Sequence, residues 1–193
     1  DELFKTCCEN CSRSGVELVP CTCLSPERRK EYVCIVGKER LDQALAMGRG
    51  VISLSAHLGN FLIMMGRLAV EGYRVDLVVK RTKNKSIEDR LQKLRRELGY
   101  DSIYVTPRIQ SAKAALASLK SNHVLVLHGD QRQRNSGIDV TFFGIPATAF
   151  VHAAAVLRNR HLCRTNRKGG NGALVLNLVI DPAAAITSIT DTI

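Results

Sequence analysis

The sequence predicts an α/β protein with a mostly parallel central sheet flanked by helices on both faces. Three observations carry this expectation. Short apolar runs recur at 32–36, 51–56, 73–80, 102–105 and 123–127. Stretches of helical periodicity stand between them, at 38–47, 60–71, 86–98 and 112–119. Glycines at 37, 48, 50, 72 and 99 mark the joins. Strands alternating with helices imply βαβ units, whose parallel sheets are covered on both faces and whose crossovers are right-handed.

Taken in order, residues 1–30 are cysteine-rich and polar, without clear periodicity, and are expected to form a loosely ordered segment ahead of an α/β domain at 31–193. Glu27 to Lys30 is a charged, exposed patch. Tyr32 to Val36 is a short strand. Leu41, Ala44 and Leu45 give the next ten residues helical spacing, closed by Gly48 and Gly50. The run VISLS reads as a buried strand, and the wholly apolar FLIMM as the start of a buried helix. Val75, Leu77 and Val79 alternate as in a strand. Ser86 is the expected N-cap of a helix whose face is Ile87, Leu91, Leu94 and Leu98, with Gly99 as its C′ residue. A short strand at 102–105, a helix marked by Ala112, Ala115, Leu116 and Leu119, and a buried strand ending at HGDQ follow. Ile138 to Phe143 resembles a strand, Thr148 to Leu157 a helix, and Ala173 to Ile180 a late strand.

Composition narrows the class. The chain has 193 residues, 45% of them hydrophobic, which suits a globular domain able to bury about 70% of its unfolded surface. No apolar run approaches the ~18 residues of a membrane-spanning helix, and no signal peptide is recognisable. The chain begins at Asp1 rather than Met and ends at Ile193, and reads as a fragment or processed form. The net charge of +10 comes from 28 basic and 18 acidic residues. Arg74, Lys80, Arg81, Lys83 and Lys85 form one basic cluster, and Arg158, Arg160, Arg164, Arg167 and Lys168 another. Such surfaces suit anionic headgroups, phosphorylated substrates, acidic proteins or nucleic acid. With 5% aromatic residues and no Trp, base-stacking platforms are scarce, which disfavours single-strand nucleic-acid binding. Cys7, Cys8, Cys11, Cys21 and Cys23 would suffice for a tetrahedral metal site, but Cys21-x-Cys23 is tighter than the usual knuckle. The odd total of seven cysteines argues against a closed disulfide framework, so free thiols are expected. P-loop, G-x-S-x-G, H-E-x-x-H and G-x-G-x-x-G patterns are absent.

Chemistry points to one rim. Open α/β sheets place ligands at the carboxyl ends of their strands. There the strands 51–56, 73–80 and 123–128 would deliver His57, Arg81 and the pair Asp130–Gln131. A base, a cation and a carboxylate on one edge suit acyl or phosphoryl transfer. Each residue also has an ordinary explanation: a satisfied histidine in a tight turn, a solvated strand end, a turn-forming aspartate.

The run GRGVISLSAHLGNF, then VVKRTKN with a basic helix after it, then GDQRQRNSGIDVTFFGIPAT, resembles the lipid A biosynthesis acyltransferase family across residues 35–181. The resemblance implies a glycerolipid acyltransferase-like fold held at the cytoplasmic face of the bacterial inner membrane by an amino-terminal helix missing here. It implies transfer of a fatty acyl chain from acyl carrier protein to a hydroxyl of a lipid A precursor, without a cofactor. The partners so implied are acyl carrier protein, an anionic glycolipid and the membrane surface, with no role for nucleic acid. His57 matches the base of the family's H-x4-E/D motif, and Asn60 lies within it. Arg81 and Asn84 match a polar pair suited to a phosphate or oxyanion, and Asp130 and Gln131 match the DQ pair. The segment from Gly144 to Ala149 matches the loop and helix start after FFG. Two positions depart from the pattern. The motif acid falls on Leu62, so orientation of the imidazole comes from Asp130 or another acid, or catalysis is feeble or lost. At 157–168 the basic LRNRHLCRTNRK replaces a buried strand. A noncatalytic glycolipid- or acyl-binding relative, and an acyltransferase acting on another phospholipid or glycolipid such as a phosphatidylinositol mannoside, remain as alternatives.

Overall fold

The chain lays down two helices, α1 (Glu2–Cys23) and α2 (Pro26–Tyr32), before its first strand β1 (Cys34–Val36). Strands and helices then alternate: α3 (Lys38–Ala46), β2 (Val51–Ser55), α4 (Phe61–Val70), β3 (Val75–Val79), α5 (Lys85–Leu98), β4 (Asp101–Tyr104), α6 (Arg108–Lys120) and β5 (Val124–His128). Four further strands follow: β6 (Ile138–Phe142), β7 (Ile145–Ala149), β8 (Ala173–Val175) and β9 (Ile186–Ser188). This is a computed structural model, and it describes residues 1–57, 59–130, 138–142, 144–149, 173–175 and 186–188.

Five strands form one parallel sheet in the order β4-β3-β5-β2-β8. The central position of β5 follows from its residues. Val124, Leu125, Val126 and Leu127 are apolar without interruption and all buried, as a strand covered on both faces requires. Alternation then divides the core. Val51, Val75, Leu77, Val124 and Val126 face Leu41 of α3, Met64, Met65 and Leu68 of α4, and Leu98 of α5. Ile103 and Leu125, with Ile52 and Val78 beside them, face Ala115 and Leu119 of α6. Helices thus cover both faces of a parallel sheet, as the sequence predicts. Beside the main sheet, β1 pairs with β9 in parallel and β6 with β7 in an antiparallel hairpin.

Helix α4 is apolar on nearly every side because it is covered on nearly every side. The sheet lies under Met64, Met65 and Leu68, whose burial contributes about 1.5–3 kcal/mol each. Cys21 of α1 and Val33, after α2, close over Ile63. The one charged residue buried in this helix, Arg67, sends Nε to the carbonyl of Val33 at 2.8 Å and a second nitrogen to Glu71 at 2.6 Å. A buried guanidinium needs such partners.

Three expectations change. The cysteine-rich segment is not loosely ordered, because residues 2–23 form a helix whose carboxyl-terminal part docks on the domain through Leu18 and Cys21. The charged patch at 27–30 is exposed at Glu27, Arg28 and Lys30 as expected, and it lies on a short helix, with Ser25 accepting from the Arg28 amide and Pro26 leading its first turn. Asn84, not Ser86, caps α5, since its side-chain oxygen accepts the amide of Ile87 at 3.2 Å. The helix expected from Thr148 begins instead as strand, with Thr148 paired to Asp139 and Ala149 to Ile138 across a hairpin turned at Gly144 (φ 77°). The rest of that expectation, residues 150–157, lies outside the described residues, as do the basic cluster at 158–168 and the strand residues 176–180.

The join into β2 depends on a single glycine. Gly50 has φ +68°, and its amide donates to Asn122 Oδ1 at 2.9 Å. A Cβ there would lie 2.6 Å from the Leu119 carbonyl oxygen. Gly50→Ala is therefore expected to destabilise the fold by roughly 2–4 kcal/mol, combining left-handed strain with overpacking. Urea denaturation checks it, and an unchanged midpoint would show that this join is not tightly held.

Candidate active site

Parallel register builds the site. Ser55 ends β2 opposite His128, which ends β5, and the Gly129 amide extends the ladder to the Ser55 carbonyl at 3.0 Å. Two residues further along each chain stand His57 and Asp130. The backbone amide of His57 donates to Asp130 Oδ2 at 2.8 Å, and His57 Nδ1 lies 2.8 Å from Oδ1. An ionised carboxylate only accepts, so Nδ1 carries the proton of this bond and the ring's lone pair falls on Nε2. Burial alone would raise the Asp130 carboxyl, but the ring and backbone bonds from His57 outweigh it and hold the group below its usual range. Asp130 is therefore an anion at neutral pH, positioned to orient an imidazole and to stabilise the imidazolium form. Close approach at Gly129 helps, as a Cβ there would meet the Leu54 side chain at 3.0 Å.

Two more rings complete the cluster. His128 lies beside His57 with centroids 4.3 Å apart and planes inclined by 31°. Phe61, at the start of α4, packs against His57 at 5.2 Å and against His128 at 4.5 Å, steeply inclined to both. Burial pushes the His128 pKa down to about 4, aided by the charge of His57 and opposed by Asp130. His128 is therefore neutral near neutral pH. Sequence reasoning passed over both residues. The signal for His128 was a histidine ending a buried strand at the same rim, two positions before the recognised aspartate.

Arg81 reaches this rim but is drawn away from the dyad. Its guanidinium lies 4.3 Å from the ring centroid of Tyr104, on the edge strand β4. Three strand positions separate β4 from β2, roughly 14 Å at the usual spacing. A buried network sets the loop that carries Arg81. Glu88 accepts from the Thr82 amide at 2.7 Å, the Tyr104 hydroxyl at 2.9 Å and Arg95 at 3.2 Å. Burial opposes ionisation of Glu88, but these bonds prevail and lower its pKa to about 2.

The other expected site residues have their own places. Asn60 is only 3% exposed, and its side-chain amide donates to the Ser14 carbonyl at 2.7 Å and to Glu17 at 3.4 Å, tying α1 to the start of α4. Asn84 caps α5. Gln131 lies outside the described residues. Leu62 is half-buried and packs against the main core cluster, so position 62 belongs to the apolar interior. Among the described residues, no group of three His, Cys, Asp or Glu side chains is placed to hold a metal ion, and no helix is long and apolar enough to cross a membrane.

A parallel α/β sheet with a histidine–carboxylate pair at its carboxyl rim defines a protein equipped to take a proton from a nucleophile. Comparison with known families narrows this class. Residues 1–163 match the bacterial lipid A biosynthesis acyltransferase family, and the chain belongs to it. Two proteins named phosphatidylinositol mannoside acyltransferase, from two strains of Mycobacterium tuberculosis, are each 30% identical to it over 114 residues. That alignment covers 58% of this chain and 36% of each relative, so the chain spans little more than a third of their length.

Two expectations follow from these contacts. Glu88 has a folded pKa of about 2, depressed from 4.5, so its stabilisation is complete above about 4.5 and is lost as pH falls toward about 2. Glu88→Gln is expected to cost about 1–3 kcal/mol at neutral pH and to flatten the loss of stability in that window. Denaturation midpoints across pH check this, and an acid limb identical to that of the parent chain would refute it. Leu62→Glu places a carboxylate in the apolar core at a cost of about 2 kcal/mol. The melting temperature should fall by roughly 4–8 °C. No gain in reaction rate is expected, and a large gain would show that position 62 reaches His57.

Proposed function

We propose that this chain carries the catalytic centre of an acyltransferase that moves a fatty acyl group from a thioester to a hydroxyl of a glycolipid. The observation that carries this reading is the pair of hydrogen bonds from His57 to Asp130, through Nδ1 and through the backbone amide. His57 Nε2 takes the proton of the acceptor hydroxyl as that oxygen attacks the thioester carbonyl. The tetrahedral intermediate collapses, the carbon–sulfur bond breaks, and the thiolate leaves with the proton held by His57. Asp130 stabilises the imidazolium between those steps. Leu62 does not leave the base without a carboxylate, which weakens the reading of a noncatalytic lipid-binding relative.

The description of the matched family favours a lipid A precursor as acceptor; acyl carrier protein as donor and the cytoplasmic face of the inner membrane as the place of reaction are parts of the same proposal. The exposed basic residues Lys80, Arg81, Lys83 and Lys85, which follow β3 at the carboxyl rim, suit both the phosphates of such a glycolipid and an acidic carrier protein, whereas Arg74 precedes β3 at the opposite rim. With the Arg81 guanidinium over Tyr104 of β4, three strand positions from β2, a headgroup phosphate there would belong to a different part of the acceptor from the reacting hydroxyl. A second reading takes a phosphatidylinositol mannoside-type glycolipid as acceptor, favoured by the two mycobacterial relatives.

The test is transfer of a labelled acyl chain from acyl carrier protein to a tetraacylated lipid A precursor and, in parallel, to a phosphatidylinositol mannoside. His57→Ala is expected to reduce product to background. Asp130→Asn, which keeps the shape but not the charge, is expected to lower kcat by about 10²–10⁴. Equal product from the parent chain and His57→Ala would sink the proposal, and the better acceptor separates the two readings.

A further inference from the structure

The family motif accounts for His57 and the DQ pair accounts for Asp130, but the third polar group at the same rim is left over. His128 occupies the last position of the central strand, where its backbone is fixed by pairing with Ser55. Its ring touches both His57 and Phe61, and the three rings form a triangle with centroid separations of 4.3, 4.5 and 5.2 Å. His128 Nε2 is buried and has no hydrogen-bond partner among the described residues. A buried polar nitrogen left unsatisfied is a cost to the fold, which an apolar side chain would avoid.

We propose that His128 is a positioning residue, whose ring packs against the imidazole of His57 and holds it in the orientation from which Nδ1 donates to Asp130. His57 itself stands outside the strand, in a turn, with its side chain 37% exposed. The hydrogen bond from Nδ1 directs the ring edge toward Asp130. Packing from His128 and Phe61 bears on the ring itself, and the strand end behind His128 makes that support rigid. The support also has to tolerate the charge that His57 acquires during the reaction. A neutral aromatic ring packs against imidazole or imidazolium alike, whereas a cation at position 128 would oppose proton uptake by His57. Burial keeps His128 neutral, consistent with this role.

This role rests on the reading of His57 as the general base, and the experiment separates the two. In the ¹⁵N-histidine-labelled chain, the ring nitrogen shifts of His57 report the Nδ1-protonated tautomer directly, without substrate. His128→Ala is expected to shift these signals toward a mixture of tautomers and to lower kcat about 10- to 100-fold, the cost of a small misplacement, with KM little changed. His128→Leu, which keeps the volume but loses the ring, serves the same purpose if the alanine variant folds poorly. His128→Phe restores an aromatic face and is expected to recover most of both effects. A folded His128→Ala or His128→Leu protein whose His57 signals match those of the parent chain would overturn the proposal. So would a phenylalanine variant no better than the leucine one. If the parent chain transfers no acyl group to either acceptor, the functional reading fails, while the His57 spectra still decide the role of His128.

Discussion

The register between β2 and β5 is the constraint on which the site depends. Because the two strands run parallel and Ser55 pairs with His128, equal steps beyond each strand bring His57 beside Asp130. A slip of one residue in either strand would turn every side chain to the other face and separate the pair. The register is secured at both ends. At the entry, Gly50 and Asn122 join the two strands' leading turns, and the Val51 amide meets the His123 carbonyl. At the exit, the Gly129 amide reaches Ser55. Between them, Val51, Val124 and Val126 are locked beneath α3, α4 and α5 by their burial.

Helix α4 links this core to the chemistry. Its first residue, Phe61, touches both histidines, and its next, Leu62, turns to the core. The residue before it, Asn60, is bound to α1, so the amino-terminal helix braces the turn that carries His57. Polar groups at this end of the molecule are thus divided by task. Asp130 acts on His57 directly, Asn60 supports the surrounding backbone, and Glu88 fixes the separate loop that bears Arg81 over Tyr104.

Much of the fold was legible because local signals agreed. Unbroken apolar residues marked β5 as buried, glycines marked helix ends, and alternation marked β3. Failures came where distant contacts decided. The early cysteines hid a helix because its few docking residues, Leu18 and Cys21, make sense only against a partner surface. Ser86 and Asn84 are both good caps, and only the chain's entry angle selects between them. Thr148 has no local reason to be extended until β6 lies beside it.

The sequence by itself determined the alternation of strands and helices, the rim on which His57, Arg81 and Asp130 would gather, and the family to which their motifs belong. It also marked Leu62 as the departure from the family pattern. Only the tertiary structure decided what that departure means. Orientation of an imidazole depends on distances of a few ångströms between residues 73 positions apart, and these are set by strand pairing and helix packing rather than by any local pattern. That packing set Leu62 against the core, brought Asp130 to His57 Nδ1, placed Arg81 over Tyr104, and laid His128 against His57.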